Sequence, residues 1–543
     1  MTSIAYSPAD QVTSLGQAPW WRDAVIYEVY VRSFADSDGD GHGDLAGIRT
    51  KVPYLAELGV DALWLTPFYP SPMADGGYDV ADYRDVDPLF GSLADFDALV
   101  ETAHAHGLRI IVDIVPNHTS SAHRWFIEAL AASPGSAARQ RYVFRPGRGA
   151  DGELPPNDWE SIFGGPAWTR SVDPDGVPGE WYLHLFDSSQ PDLNWDNPEV
   201  RAEFDDILRF WLARGVDGFR VDVAHGLVKA DGLPDVGRTG QIAMLGHAAL
   251  PYFDQDGVHA IYRNWRRIFD EYPGNRVGVA EAWAPSVERL ANYTRPDELH
   301  QAFNFHFLGI GWYPDALRRV IAESVTAAAV VGAPPTWVLG NHDVQRQVTR
   351  FGDGAGGLAR ARAAALLMLA LPGSTYLYQG EELGLAEVLD LPEESLQDPV
   401  WQRSGRTQRG RDGCRVPLPW SGDAAAFGFS IGVPWLPQPA HWAELAVDRQ
   451  RDDPASVLSL YRSALRLRRS ISGELRWLDA PGNVLAFARG HDLVCTVNVG
   501  DAPVVINRPG TVLLSSGGQV EDEPAVVLPG ATTVWWQAGG SPG

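Results

Sequence analysis

Three carboxylates stand at or just past the ends of three apolar runs: Asp222 in "VDGFRVDV", Glu281 in "RVGVAEAW" and Asp343 in "TWVLGNHD". Two facing carboxyl groups are enough to break a glycosidic bond, one acting as acid and the other as nucleophile or base. Their neighbours divide the roles. Arg220 lies two residues before Asp222, on the same face of a strand, where its guanidinium keeps Asp222 ionised and oriented as a nucleophile. Glu281 sits among apolar residues and close to Trp283, surroundings that raise a carboxyl pKa and suit an acid. Asp343, next to His342, is left to face the positive charge of an oxocarbenium-like transition state. Singly, each has a structural explanation: an ion pair, a satisfied buried acid, a loop cap. Together, at the same end of three strands, they point to a site. Other chemistries lack their spacing. His118, His123, Asp222 and His342 form no H-E-x-x-H zinc pattern, no G-x-S-x-G follows a strand, and no G-x-x-x-x-G-K-[ST] phosphate loop is present.

Eight apolar runs with polar ends alternate with amphipathic helix patterns such as "SLADFDALVETAHAHG" and "PEVRAEFDDILRFWLARG". That alternation predicts an α/β fold, a closed (β/α)8 TIM barrel whose active site lies at the C-terminal strand ends, with a doubly wound open sheet as the alternative. Roughly a hundred residues separate "IIVDIVPNH" from "GFRVDV", too many for a structureless loop, which predicts an inserted subdomain over 118–187 after the third strand. The barrel then comprises 1–117 and 188–472, with a long Pro/Arg-rich segment over 385–450 after the eighth strand. Short alternating runs over 473–543 predict a C-terminal antiparallel β-sandwich.

The 543 residues carry 44 basic and 69 acidic side chains, a net charge of −25, which disfavours nucleic acid and anionic membranes and suits neutral small substrates. Two cysteines cannot build a disulfide framework, "MTSIAYSPADQVTSLG" lacks a signal pattern, and no apolar run approaches the ~18 residues of a membrane span; a cytoplasmic protein is expected. Twenty Trp and seventeen Tyr offer planes for sugar rings, although any single one is more simply core. The stretch "DSDGDGHGDLAGI" from Asp36 to Ile48 sets Asp36, Asp38, Asp40 and Asp44 at calcium-loop spacing. Gly47 occupies the position where an EF-hand has its bidentate Glu, and a strand-like run precedes the loop, so a calcium sensor is not expected, and a solvated acidic turn is the alternative to a structural metal site.

Four ordered motifs, "DIVPNH" (113–118), "GFRVDVAH" (218–225), "VAEAW" (279–283) and "VLGNHD" (338–343), resemble the conserved blocks of the α-amylase superfamily, glycoside hydrolase family 13. "QPDLNW" (190–195) is similar to the fifth block of its oligo-1,6-glucosidase and α-glucosidase group. The resemblance implies Asp222 as nucleophile, Glu281 as acid/base, Asp343 as transition-state stabiliser, and double displacement with retained α-configuration. It further implies that Tyr78, Asp79, His118, Arg220, His342 and Arg411 line the glucose subsite beside Phe163, with Asp79 and Arg411 holding hydroxyls at a closed end. It also implies a structural Ca2+ held by Asp36, Asp38, Asp40, Asp44 and the backbone carbonyl of His42, and no organic cofactor. The expected activity is that of an exo-acting α-glucosidase on maltose, isomaltose and similar short oligosaccharides. A glucosyl transferase or isomerase of trehalose or sucrose type, using the same intermediate, is the alternative. A non-catalytic scaffold like the transporter heavy chains is disfavoured, because all three carboxylates are kept and no span is present. Val223 resembles the residue of α-1,6-preferring members. Val416, Leu418 and the "VAHGL" continuation after Asp222 depart from the common pattern, in a region expected to receive the leaving group.

Overall fold

The computed structural model describes residues 18–491, 493–518 and 523–538; the N-terminal stretch read above for a signal pattern lies outside them. The eight apolar runs become eight strands: β1 (Val25–Val29), β2 (Ala62–Leu65), β3 (Arg109–Ile114), β4 (Gly218–Val221), β5 (Val277–Ala280), β6 (Gln301–Ala302), β7 (Thr336–Val338) and β8 (Ser374–Tyr378). All pair in parallel, in the spatial order β7-β8-β1-β2-β3-β4-β5-β6. A parallel bridge from Phe303 to Thr336 joins the two outer strands and closes the ring. Strands covered on both faces need apolar residues at every position, which is why they read as continuous runs. Ile26, Trp64, Ile111, Val279, Phe303, Val338 and Tyr376 form one buried cluster, while their neighbours Val25, Tyr27, Leu63 and Leu65 belong to the larger core with the surrounding helices.

The sixth run, "AFNFHF", is only partly a strand. Asn304 accepts the N–H of Phe307 at 3.0 Å and caps a short helix, Phe305–Leu308, so the ladder ends early. Elsewhere the helix punctuation acts as the residue types dictate. Ser92 and Asp95 form a reciprocal capping box at Leu93–Ala105, and Asn197 with Pro198 starts Pro198–Ala213.

Within the insert, Phe144–Arg145, Trp168–Val172 and Pro178–Leu183 form a three-stranded antiparallel sheet. Trp159, Trp168 and Leu183 pack against Leu250, Tyr252 and Phe253 from the loop after β4, fixing the insert over the barrel mouth. The segment after β8 consists mainly of short turns and short helices. The apolar stretch that stops at Pro372 lies in a buried helix, Gly354–Ala370, and no described helix is long and apolar enough to cross a membrane. Beyond Val457–Arg468, five antiparallel strands and a two-stranded ribbon share a core of Val484, Val494, Ile506, Val526, Val534 and Trp536. Trp535 Nε1 and Thr533 Oγ1 donate to Leu366 O and Ala363 O, at 3.0 and 2.7 Å, tying this domain to Gly354–Ala370.

Candidate active site

Parallel pairing sets Arg220 of β4 opposite Asp113 of β3 and Val279 of β5, so its side chain is surrounded before any ligand arrives. The guanidinium is fully buried. Its Nη1 reaches Asp113 at 2.9 and 3.1 Å and Asp222 at 2.5 Å; its Nη2 lies 2.8 Å from Glu281 Oε2. One guanidinium thus serves three carboxylates. Burial pushes Asp113 up to about 7 and raises Asp222 as well, while Arg220 pulls both down. The surroundings of Glu281 are less apolar than its neighbours in sequence suggest. Trp283 stacks on Phe305 at 4.2 Å, and the carboxylate is met by Arg220 and by the Val223 N–H at 2.9 Å. Val223 has φ of 44°, a left-handed conformation unfavourable for a β-branched residue, and that hydrogen bond helps to hold it.

A second guanidinium closes the other side. Arg411, from the segment after β8, donates to Asp343 at 2.9 Å, Asp75 at 2.6 Å and Asp398 at 2.5 Å, and lies 5.1 Å over the Phe163 ring of the insert. Arg415 adds a 3.0 Å contact to Asp343, and His342 Nε2 lies 3.2 Å from the same carboxylate. Burial opposes the charge on Asp343, but His342, Arg411 and Arg415 outweigh it and hold the carboxyl below the usual range. His342 stacks on Tyr78, centroids 5.1 Å apart and planes 9° apart, and its Nδ1 lies 2.5 Å from the buried Glu28. Burial lowers His342 and raises Glu28. Tyr78 OH donates to Asp113 at 3.0 Å, linking the two halves.

Between the two guanidiniums lies a cavity of about 310 Å³. Asp222, Glu281, Asp343, Tyr78, His118, Phe163 and Arg411 line it, and Arg220 and His342 support it from below. Asp79 does not reach it. Its carboxylate accepts the backbone N–H groups of Ala74 and Asp75, each at 3.0 Å, and Asp75 takes the place expected for it beside Arg411. Gly76 and Gly77, with φ of 59° and 101°, turn the chain between the two acids, so only the first faces the cavity. Burial raises Asp79 to about 6, in keeping with an interior bracing role. Val416 and Leu418 are also not at the leaving-group region: both are fully buried in the main core, and of the unusual stretches only Val223 and His225 line the cavity.

Several residues were not singled out from sequence. Asp75, Asp398 and Arg415 complete the second hub; Phe186 packs 5.6 Å from Phe163 and 5.2 Å from His118. Gln190 Nε2 bridges Asp75, at 3.0 Å, and His118, at 3.1 Å. Lys229 Nζ contacts Asp192 at 2.8 Å and Asn117 at 3.0 Å, pinning the loop after β4 beneath the insert. The spacing of "DGGYD", which holds both acids, was the available signal for Asp75; the ion-pair partners on distant loops had none.

The acidic loop follows β1 at the same end of the barrel. Asp36, Asp38 and Asp40 present oxygens within 4.8 Å of one another, a hard-oxygen set that suits Ca2+. Asp44 is drawn away from them: it caps helix Leu45–Leu58 through Gly47 N at 2.6 Å and accepts Ser37 N and Oγ at 2.7 and 2.8 Å. The imidazole of His42 turns to Arg32, at 3.1 Å.

The model of the α-amylase catalytic domain matches residues 28–474. A probable α-glucosidase of Rhizobium meliloti (strain 1021) is 40% identical over 515 residues, covering 90% of this chain and 91% of that protein. The oligo-1,6-glucosidase of Parageobacillus thermoglucosidasius is 36% identical, covering 83% and 84%. Among solved structures, the α-glucosyl transfer enzyme XgtA superposes with a TM-score of 0.85 at 38% identity, over 96% of this chain and all of that one. With its eight-stranded barrel and the carboxylates gathered at its mouth, the chain belongs to the α-amylase family, within the α-glucosidase and oligo-1,6-glucosidase group, and is a glycoside hydrolase.

Proposed function

We propose that the protein is a retaining, exo-acting α-glucosidase that removes the terminal glucose from short, neutral α-glucosides such as maltose and isomaltose. The observation that carries this reading is the Arg411 hub. Bound to Asp75, Asp343 and Asp398 and backed by Phe163, it walls off one end of the cavity, so a chain end fits and a chain middle does not.

In the proposed cycle Asp222, oriented by Arg220, attacks the anomeric carbon while Glu281 gives its proton to the departing oxygen. A glucosyl ester on Asp222 results. Water then attacks that carbon, Glu281 takes the water's proton, and the ester bond breaks with the α-configuration restored. Glu281 shares the Arg220 guanidinium with Asp113 and Asp222, and those contacts hold the three carboxyl groups in place. Asp343, kept ionised, faces the positive charge that develops on the ring. Tyr78, with its ring face on the cavity, stacks on the sugar.

Proton NMR on maltose and isomaltose tests the reading: α-glucose is the first anomer expected, and first-formed β-glucose would overturn it. A second reading, glucosyl transfer to a sugar acceptor, is supported by the apolar outer wall of Val223, Leu245, Phe253 and Trp283, which limits water at the ester, and by the likeness to XgtA. New disaccharides in the same time course would favour it. Asp36, Asp38 and Asp40 would hold a structural Ca2+, which would neutralise the loop without touching the sugar. The two cysteines, both free and buried, support a reducing cytoplasmic setting.

A further inference from the structure

The protein carries a net charge of −25, yet four arginines, Arg22, Arg468, Arg469 and Arg489, line a groove of about 1200 Å³. Val25, Asp61, Pro335 and Gly373 also line it, residues at or just before the starts of β1, β2, β7 and β8. The groove therefore lies at the N-terminal face of the barrel, opposite the catalytic mouth, where the C-terminal domain meets it.

Arg468 and Arg489 are 8% and 5% exposed, and among the described residues neither has a carboxylate oxygen within 4.0 Å. A buried guanidinium without an anion is costly. Part of the compensation comes from carbonyls. Arg468 donates to Leu369 O at 2.5 Å, to Leu371 O at 3.1 Å and to Gly373 O; Arg489 donates to Ala370 O at 2.7 Å and Gly473 O at 3.0 Å. Three of these carbonyls end the helix Gly354–Ala370 or follow it directly, at the negative end of its dipole.

These bonds use five donors, whereas two guanidiniums present five N–H groups each. Among the described residues, Arg468 Nε is buried with no acceptor at all. Asp23, Asp61 and Glu474 also line the groove; Asp23 accepts Gly373 N at 3.2 Å, and Asp61 accepts Val25 N at 2.8 Å and lies 3.9 Å from Arg469, so among the described residues none pairs directly with Arg468 or Arg489. Burial holds both arginines down at about 10, and the charge of Arg489 lowers Arg468 further, against a smaller opposing pull from Asp23 on both. The rest of the wall is largely apolar, with Pro334, Pro335, Pro372, Ala333 and Val330, the last 83% exposed.

We propose that this groove binds an organic oxyanion, a phosphate or carboxylate head seated on Arg468 and Arg489 with an apolar body along the proline-rich wall. Such a ligand touches the barrel, the helix Val457–Arg468 and the strand Val484–Arg489 at once, so it clamps the C-terminal domain to the barrel. The proposal is independent of the activity assigned above, since the two sites lie at opposite ends of the strands.

Calorimetric titration at constant ionic strength, with phenyl phosphate, inorganic phosphate and phenol as probes, tests it. Phenyl phosphate is expected to bind at least tenfold more tightly than inorganic phosphate, and phenol not at all. Arg489→Gln should abolish that binding. Because this variant also loses two backbone contacts, Val330→Glu provides the second arm: it adds a negative charge on an exposed position and should weaken phenyl phosphate at least tenfold with melting temperature and turnover unchanged. No phenyl phosphate binding by the wild type, or binding that survives both substitutions, would overturn the site. Equal affinities for phosphate and phenyl phosphate would overturn the apolar part of the proposal.

Discussion

Arg220 and Arg411 each hold three carboxylates, and the two sets behave in opposite ways. Around Arg220, Asp113 is pushed up to about 7 and Asp222 is raised; around Arg411, Asp343 and Asp398 are held below their usual range. Burial does not separate them, since Asp113, Asp222 and Asp398 are all buried. The ratio of charges does. Arg220 meets its three acids alone, whereas Arg411 is joined by Arg415, which reaches Asp343 at 3.0 Å and Asp398 at 3.9 Å. The second cation is what the difference turns on: it keeps negative charge on Asp343, the carboxylate proposed to face the developing cation.

The strongest way to break the comparison is Asp222→Asn, which should cost about 10⁴-fold or more in kcat if this carboxylate forms the covalent bond. Near-normal turnover would move the reacting role to the other hub. Arg411→Gln should cost about 10²–10³-fold in kcat/KM, since it opens the closed end and frees Asp343 from a guanidinium that positions it; an effect confined to KM would mean that Arg411 only binds the sugar. Arg415→Gln tests the charge ratio itself. Removing a cation raises the pKa of Asp343, so the acidic limb of the kcat/KM profile should move to higher pH; a limb that stays in place would leave His342 and Arg411 as sufficient.

Stability should follow the same division. Asp343 and Asp398, depressed in the fold, stabilise it above their unfolded pKa, and that contribution is lost as pH falls through the folded value. Asp113 has the opposite sign, its raised pKa costing stability as pH rises from the unfolded value toward about 7. Smaller effects separate two neighbouring acids. Asp75→Asn should raise KM by about tenfold by loosening Arg411, whereas Asp79→Asn should leave KM unchanged and cost about 1–3 kcal/mol of stability, measured by denaturant titration, through the turn it braces. Smallest for turnover is chelation. EGTA should lower the melting temperature by a few degrees with kcat unchanged before unfolding; immediate loss of kcat in the folded protein would place the acidic loop within the working site.

The barrel was legible because its strands are buried on both faces and its helices carry their own start and stop residues. Asp222, Glu281 and Asp343 were legible because strand ends define one mouth. Asp79 was misplaced because two acids flank the same Gly-Gly-Tyr turn, and only backbone torsions decide which one faces the cavity. Arg415 and Asp398 were not found, since ion pairing across long loops leaves no periodicity. Val416 and Leu418, read as neighbours of the leaving group, were core for the same reason: position along an irregular segment says little about direction.

The ring of strands is closed where it is thinnest. β6 contributes two residues, and a single bridge from Phe303 to Thr336 carries the ladder to β7. Such a joint is the natural tear line of the barrel, because few backbone bonds must break to open it. Asp343 follows β7, whereas Glu281 follows β5, so the tear runs between the two sides of the cavity. Opening there would part Glu281 from Asp343 before the helices or the C-terminal domain need change shape.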